Sequence, residues 1–188
     1  MRINNSIVRW NWPLLGCCVL LLICLRAQGQ TTSTGRLTVS GRVQGSIGLV
    51  FNNNPAVGTN GFCPLTNAGT NNVGLDMGTA SYTTGDSLAC VFYLRGFGFY
   101  LVSSGFDVLV TKANSTSPNY QLAASLSTTP PANVFWLINA TNLTTTFTTF
   151  QNANNYAAPV TETLSVIVNQ NVPQQTLFET INFLATAN

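Results

Sequence analysis

The feature that most constrains the fold is a two-residue alternation ahead of the middle of the chain. From residue 36 to residue 51, apolar or glycine residues occupy one parity and mostly polar residues the other. The first parity holds Leu37, Val39, Gly41, Val43, Gly45, Ile47, Leu49 and Phe51. Because alternate side chains of a strand point to opposite faces of a sheet, this period indicates a half-buried β-strand. Strands usually have about five or six residues, so we expect a bend near Gly41, Gly45 or Gly48.

Short apolar segments separated by Gly, Pro and Asn turns continue to the end of the chain. The segments predicted as strands are 73–77, 88–94, 97–102, 106–111, 120–126, 134–138, 160–168 and 177–185. The continuously apolar segment Val134–Ile138 predicts a strand buried on both faces, and Asn52–Asn72 predicts a long surface loop. No segment shows a convincing 3.6-residue period. The sequence therefore predicts an all-β fold, a single antiparallel Ig-like β-sandwich over residues 30–188.

The first residues have the pattern of a secretory signal peptide. Arg2 and Arg9 precede a short apolar run, residues 14–25, and small residues at Ala27 and Gly29 precede a cleavage point. About twelve apolar residues are fewer than the roughly twenty that span a bilayer. We therefore expect residues 1–29 to be removed, the protein to be secreted or at the cell surface, and no membrane span to remain. An uncleaved anchor and lipidation at Cys17 are the alternatives.

The cysteines agree with export. Cys17, Cys18 and Cys24 lie in the expected signal, which leaves Cys63 and Cys90. Two cysteines in an exported chain are expected to form a disulfide. The alternative, a catalytic thiol, needs a neighbouring base to form the thiolate, and the chain contains no histidine.

Charge is scarce, and this excludes several classes of function. After residue 29 the charged residues are Arg36, Arg42, Arg95, Lys112, Asp76, Asp86, Asp107, Glu162 and Glu179. Four cations against five anions do not suit a nucleic-acid partner, because phosphate binding depends on Lys and Arg. Without histidine, a Ser-His-Asp triad and the usual zinc, copper and haem ligands are missing. We expect no catalytic residue, no metal and no cofactor.

Two sets of polar residues leave alternatives open. Asn71, Asn72 and Asp76 could supply oxygens to calcium, although turn residues are the simpler interpretation. Glu162 and Glu179 share a parity with apolar residues. We interpret both as residues at strand starts on the sheet rim or as edge charges that oppose aggregation. A carboxylate pair for glycoside hydrolysis is the enzymatic alternative.

Three segments resemble bacterial pilin-like surface subunits of the chaperone–usher and spore-coat-U type. They are the first strand Gly35-Arg36-Leu37-Thr38-Val39-Ser40-Gly41, the segment Val73-Gly74-Leu75-Asp76-Met77-Gly78, and the ending formed by Thr163–Val168 and Thr176–Ala187. The chain departs from that pattern in two places. Cys63 comes a dozen residues after Phe51, and the usual tyrosine near the C-terminus is absent.

The resemblance implies a structural subunit of a fimbria-like or coat-like polymer. Its partners would be further copies of itself or sister subunits, with a periplasmic chaperone as another expected partner. Copies would join by strand complementation. The donor would lie within residues 30–43, with Leu37, Val39, Gly41 and Val43 facing inward, and the acceptor would be an edge beside the C-terminal strands. The alternative function is a monomeric secreted binding module or adhesin for glycans or host surfaces, with a concave polar site near the Asn52–Asn72 loop.

Overall fold

The computed structural model describes Ser40 and residues 45–83 and 89–188, and these contain strands and no helix. The fold lies in the unit Arg42–Asn188, one of two into which the chain divides. The expected signal peptide, residues 1–29, lies outside the described residues, as do Leu37, Val39, Gly41 and Val43. The strands are β1 Ser46–Asn52, β2 Leu65–Thr66, β3 Gly74–Leu75, β4 Phe92–Arg95, β5 Phe99–Ala113, β6 Tyr120–Leu126, β7 Val134–Ile138, β8 Thr141–Asn142, β9 Thr148–Asn154, β10 Val160–Asn169 and β11 Ile181–Ala187.

The larger sheet is arranged around the long strand β5. Its order is β1-β5-β10-β7-β8, and β4 pairs with β5 beside β1. One edge of β5 is shared, because residues 107–113 pair with β1 and residues 100–103 pair with β4. The other edge pairs with β10 over ten consecutive residues. All of these pairings are antiparallel. β5 thus pairs directly with β1, β4 and β10, and β7 and β8 join the sheet through β10.

A smaller antiparallel sheet, in the order β11-β6-β9, covers one face of the larger one. Alternate residues of β5, β6, β7 and β10 meet between the sheets and form the main core. Aromatic rings join the layers, since Phe183 of β11 contacts Phe51 of β1 at a centroid distance of 4.9 Å. A two-stranded sheet, β2-β3, and the disulfide lie beside this core. The expected all-β sandwich is therefore confirmed.

The two strands expected at 97–102 and 106–111 are one continuous strand of 15 residues. The polar and small residues Ser103, Ser104 and Gly105 do not interrupt it, because each is paired with β10 on one side. On the other side the Ser104 hydroxyl accepts a hydrogen bond from the Cys63 N–H, and the Gly105 N–H donates to the Gly61 carbonyl. Hydrogen bonds to residues distant in the sequence therefore keep the strand continuous where the local sequence predicts a break.

Other boundaries also differ from expectation. The strand expected from residue 36 is seen from Ser46, while residues 36–39 and 41–44 are outside the described residues. The expected strand 177–185 begins only at Ile181. Strand β9 was not expected, because its sequence Thr-Thr-Phe-Gln-Asn-Ala-Asn is mostly polar. Its residues are held by pairing with β6 rather than by an apolar alternation of their own.

The prediction that Val134–Ile138 is buried on both faces is wrong. Val134, Trp136 and Ile138 point into the core, whereas Phe135 is exposed. The strand is apolar throughout, yet only one of its faces is covered. A sheet face therefore carries apolar side chains that nothing within the described chain buries.

Cys63 and Cys90 form the expected disulfide, with their Cα atoms 4.7 Å apart. Both cysteines are buried in a second apolar cluster with Val91 and Val102. The Asn52–Asn72 segment was expected to be a surface loop pinned at Cys63. It is pinned there, and its Leu65–Thr66 part also forms strand β2. The disulfide thereby ties this loop to the segment that leads into β4, beside the edge of β5.

Removing the disulfide should destabilise the folded state strongly. The bond closes a 27-residue separation, for which loop-closure entropy gives about 3–4 kcal/mol. We expect Cys63→Ala with Cys90→Ala to lower the free energy of unfolding by that amount in urea titrations. Reductant should lower the stability of the original protein to the same level and leave the variant unchanged. Equal stability of the oxidised protein and the variant would contradict this assignment.

Candidate assembly edge and buried carboxylate

The edge strands of the sandwich differ in how well they are protected from further pairing. β8 has two residues and β4 has four, while the register of β9 against β6 shifts at two points. Short and bulged edges discourage the addition of another strand. β11 runs regularly for seven residues and contains no charge and no proline. β1 shares these features, but it is bridged at Phe51 by Gly69 and Thr70.

The backbone groups at the free edge of β11 can be assigned from two hydrogen bonds that flank the strand. The Ser127 N–H donates to the Thr180 carbonyl over 2.9 Å, and the Asn188 N–H donates to the Asn119 carbonyl over 3.0 Å. In an antiparallel pair, bonded and non-bonded residues alternate. The even-numbered residues of β11 therefore bond to β6. The odd-numbered residues, Ile181, Phe183, Ala185 and Ala187, direct their N–H and C=O groups away from it.

Strand β1 has a similar free side nearby. Phe51 donates its N–H to the Thr70 carbonyl and accepts from the Gly69 N–H, so its backbone groups point away from β5. By the same alternation, Ile47 and Leu49 also direct theirs away from β5. Their side chains are half-buried against the core, as are those of Ile181 and Phe183. We call Ile47, Leu49, Ile181, Phe183 and Ala185 the β1–β11 margin.

The margin has the properties of an acceptor for an extended apolar segment. Its unpaired backbone groups belong to the residues whose side chains face the core, and no residue described elsewhere in the chain pairs with the free edge of β11. A strand added there would place its own alternate side chains on the partly covered core. The expected donor residues Leu37, Val39, Gly41 and Val43 have that alternation, although they are outside the described residues.

A second unusual feature is the fully buried carboxylate of Glu162. The side chain lies on the inner face of β10 and is 0% exposed. Its Oε2 accepts a hydrogen bond from Nδ2 of Asn139, which has a left-handed backbone (φ 48°) and whose Oδ1 accepts from the Thr163 N–H. Burial raises the pKa of Glu162 to about 6, although hydrogen bonding from Asn139 and Gln151 favours the charged form.

Three buried polar atoms around this position are unpartnered within the described chain: Glu162 Oε1, Tyr120 Oη and Asn154 Nδ2. Tyr120 and Asn154 are directly paired on β6 and β9, in the sheet that faces β10. Burial raises the pKa of the Tyr120 phenol, and the charges of Glu162 and Tyr156 raise it further. A partly satisfied buried network is costly, so the charged form of Glu162 destabilises this region.

The expectation that both glutamates are rim or edge charges is wrong for Glu162, which is an interior residue. The sequence did indicate this position, because Glu162 shares its parity with the apolar residues of β10, and that parity points into the core. Glu179 lies just before β11 and accepts hydrogen bonds from Ser127 and Thr128. Burial acts to raise the pKa of Glu179, but these hydrogen bonds outweigh it and the pKa is lowered. The two carboxylates share no hydrogen-bond partner and form no pair.

The other candidate sites are occupied by structural contacts. Asp76 accepts a hydrogen bond from the Gly78 N–H, as a turn residue does. Within residues 45–83 and 89–188, no three His, Cys, Asp or Glu side chains come together as a metal site would need. In the Asn52–Asn72 loop, Asn53 accepts from the Leu65 N–H, and Asn54 donates to Asp107 and Thr161. These amides hold the loop on the sheet.

Comparison with protein-family models, with curated proteins and with solved structures found no match. The part of the chain that the structure describes contains no helix with the length and hydropathy to cross a membrane.

The buried carboxylate should give the protein a pH-dependent stability of known sign. A raised pKa means that the folded state holds its proton more tightly than the unfolded state. Stability from Glu162 is therefore greatest below its ordinary pKa of 4.5 and is lost as the pH rises towards 6. Converting the shift gives about 2 kcal/mol. We expect Glu162→Gln to remove this loss and to stabilise the protein above pH 6, measured by urea unfolding from pH 4 to pH 8.

Glu179→Gln is the matched control, because the lowered pKa of Glu179 has the opposite consequence. Its stabilisation is present above the ordinary pKa and is lost as the pH falls through the lower, folded-state value. From pH 4 to pH 8 the stability difference for Glu162→Gln should therefore grow, whereas the difference for Glu179→Gln should stay nearly constant, because its change falls below pH 4.5. A Glu162→Gln difference that is constant across this range would contradict the assignment.

Proposed function

We propose that the protein is a secreted or cell-surface structural subunit whose copies join by strand addition. The observation that carries the proposal is the free edge of β11. It is regular, seven residues long and uncharged, while the other edges are short, bulged or bridged. Natural sheets ordinarily protect long edges with charge, proline or bulges. An edge without these devices is suited to accept another strand.

The donor in this proposal is the segment from Leu37 to Val43 of another copy. It alternates apolar and polar residues, as a strand with one buried face does. Leu37, Val39 and Val43 would lie on the half-buried side chains of the β1–β11 margin. The backbone would bond to the free groups of Ile181, Phe183 and Ala185. Main-chain bonds then supply affinity, and the alternate side chains supply the register.

The composition supports a role in an assembly. Only six per cent of the chain is charged, so the surface is made largely of hydroxyl, amide and apolar groups. Net charge keeps proteins apart in solution, and this chain has little of it. Copies of the same chain, or sister subunits of similar composition, are the partners that fit, and a periplasmic chaperone would shield the margin before assembly.

The donor is tested by changing its inward side chains. We expect Val39→Asp with Val43→Asp to abolish the polymers formed by strand addition, because two carboxylates cannot enter an apolar margin. Thr38→Asp with Ser40→Asp is the control, since it adds the same charge at the opposite parity. Assembly is measured by sedimentation and by electron microscopy of negatively stained samples. Equal assembly of both variants would exclude this segment as the donor.

The acceptor is tested by removing one free N–H from the edge. Ala185→Pro eliminates a donor that does not bond to β6, so the sandwich should fold and accept no strand. Ala187→Pro serves the same purpose if the first variant does not fold. Because the donor variant keeps its acceptor and the proline variant keeps its donor, mixing the two should let one copy of each join by strand addition, a contact that neither variant makes alone.

Two results would contradict the proposal as a whole. One is a protein that stays monomeric at high concentration while Val39→Asp with Val43→Asp lowers its stability, which would mean that the segment completes its own chain. The other is a monomer that binds a specific glycan on an array, which would favour the binding-module alternative.

A further inference from the structure

The face of the larger sheet that points away from the core carries an uncovered apolar surface. The antiparallel register aligns Leu94 of β4, Leu101 of β5, Ile167 of β10 and Phe135 of β7 in one row. At a strand spacing of about 4.8 Å, the row is roughly 14 Å long. The next row is Phe92, Ser103, Ser165 and Leu137, so two serines separate its apolar ends. We call these residues the outer apolar face: Phe92, Leu94, Leu101, Phe135, Leu137 and Ile167.

These side chains are accessible on a rigid part of the molecule. Phe92 is 42% exposed, Leu94 50% and Phe135 47%, and the other three are half-buried. The opposite faces of β5, β7 and β10 are buried in the core, which fixes the pleat of the sheet. Contiguous exposed apolar patches of this kind mark interaction sites in soluble proteins.

No charged group of the described chain lies on this face. The Arg95 guanidinium lies over the Tyr82 ring, at 4.4 Å from its centroid, on the inner parity of β4. Asp107 is on the outer parity of β5, four residues, or about 13 Å, beyond the row that contains Phe92 and Leu137, and it is buried. Its Oδ1 accepts hydrogen bonds from Asn54 and Thr161.

We propose that the outer apolar face packs against the same face of a second copy, related by a two-fold axis. A two-fold axis brings the same surface of the two copies together. A charge near that axis would therefore lie close to the identical charge of the other copy. A neutral face avoids that repulsion. A sheet face is also complementary in shape to another sheet face, and such faces pack about 10 Å apart.

The available area is sufficient for this contact. If a large apolar side chain exposes about 200 Å², the six residues expose roughly 400 Å². Because about two-thirds of such an interface is apolar, each copy would contribute about 600 Å² in all. Two copies would then bury about 1,200 Å², which is the lower end for specific interfaces.

This contact is separate from strand addition. The outer apolar face belongs to the larger sheet, whereas the free edge of β11 belongs to the smaller one. Both contacts together would join copies along a chain and pair the chains side by side. The test is therefore made in the background of Val39→Asp with Val43→Asp, in which strand addition is blocked.

In that background the protein should be a dimer in sedimentation equilibrium at about 100 µM, well above the micromolar Kd of the weaker interfaces of this class. Phe135→Lys and, separately, Leu94→Lys should weaken the dimer at least a hundredfold, because each buries two like charges across the axis. Phe147→Lys is the matched control, since Phe147 is 48% exposed but lies between β8 and β9. It should leave the dimer unchanged.

Three results would overturn the proposal. The first is a monomer in the donor-blocked background, and the second is a dimer that Phe135→Lys and Leu94→Lys do not weaken. The third is a dimer that Phe147→Lys weakens as much as they do. If the donor-blocked protein still forms polymers, strand addition at the margin is wrong. The comparison of Phe135→Lys with Phe147→Lys still decides whether this face makes contacts between copies.

Discussion

The pairing of strand β5 on both of its edges is the interaction on which the rest of the structure depends. β5 runs for 15 residues, and its two edges hold β10 on one side and β1 and β4 on the other. Its inner side chains, Val108 and Val110 among them, are fully buried in the main core. Its other half carries the disulfide cluster through Val102. A single strand thus joins both apolar clusters.

The distribution of polar groups follows from this arrangement. Asp107, on the outer parity of β5, is satisfied by Asn54 and Thr161. Glu162, opposite Phe106 on the neighbouring strand, has the inner parity and is therefore placed in the core. Both carboxylates are buried, but parity decides which lies on the outer face of the sheet and which in the core, because one residue of displacement reverses the face of every side chain. The raised pKa of Glu162 follows from that position.

The scarcity of charged residues leaves a surface made mainly of hydroxyl, amide and apolar groups. With few ionic groups available, the sandwich leaves the free edge of β11 without charge and an apolar row exposed on the outer face of the larger sheet. In a protein that works alone, both would promote aggregation. In the two contacts proposed here, the same features are complementary surfaces, one for backbone pairing and one for side-chain packing. The two contacts use different sheets, so they do not compete for the same residues.

The sequence by itself determined the class of fold and the covalent link. Period-two alternation and the lack of a helical period predicted the sandwich, β6 and β10 were predicted almost to the residue, and two remaining cysteines predicted the disulfide. These features depend on local side-chain chemistry, which a sequence records directly. The alternating segment before β1 lies mostly outside the described residues, so both its strand structure and its use as a donor stay predictions.

Only the tertiary structure decided the features that depend on residues distant in the sequence: strand continuity, side-chain exposure and the position of a strand at an edge. The continuity of β5 through Ser103–Gly105 rests on β10 and on the Cys63 loop. The polar strand β9 exists because β6 pairs with it. The exposure of Phe135 depends on which sheet face the smaller sheet covers, and the free groups of β11 depend on its place at an edge. Each of these is a relation between residues far apart in the chain, and periodicity carries no information about it.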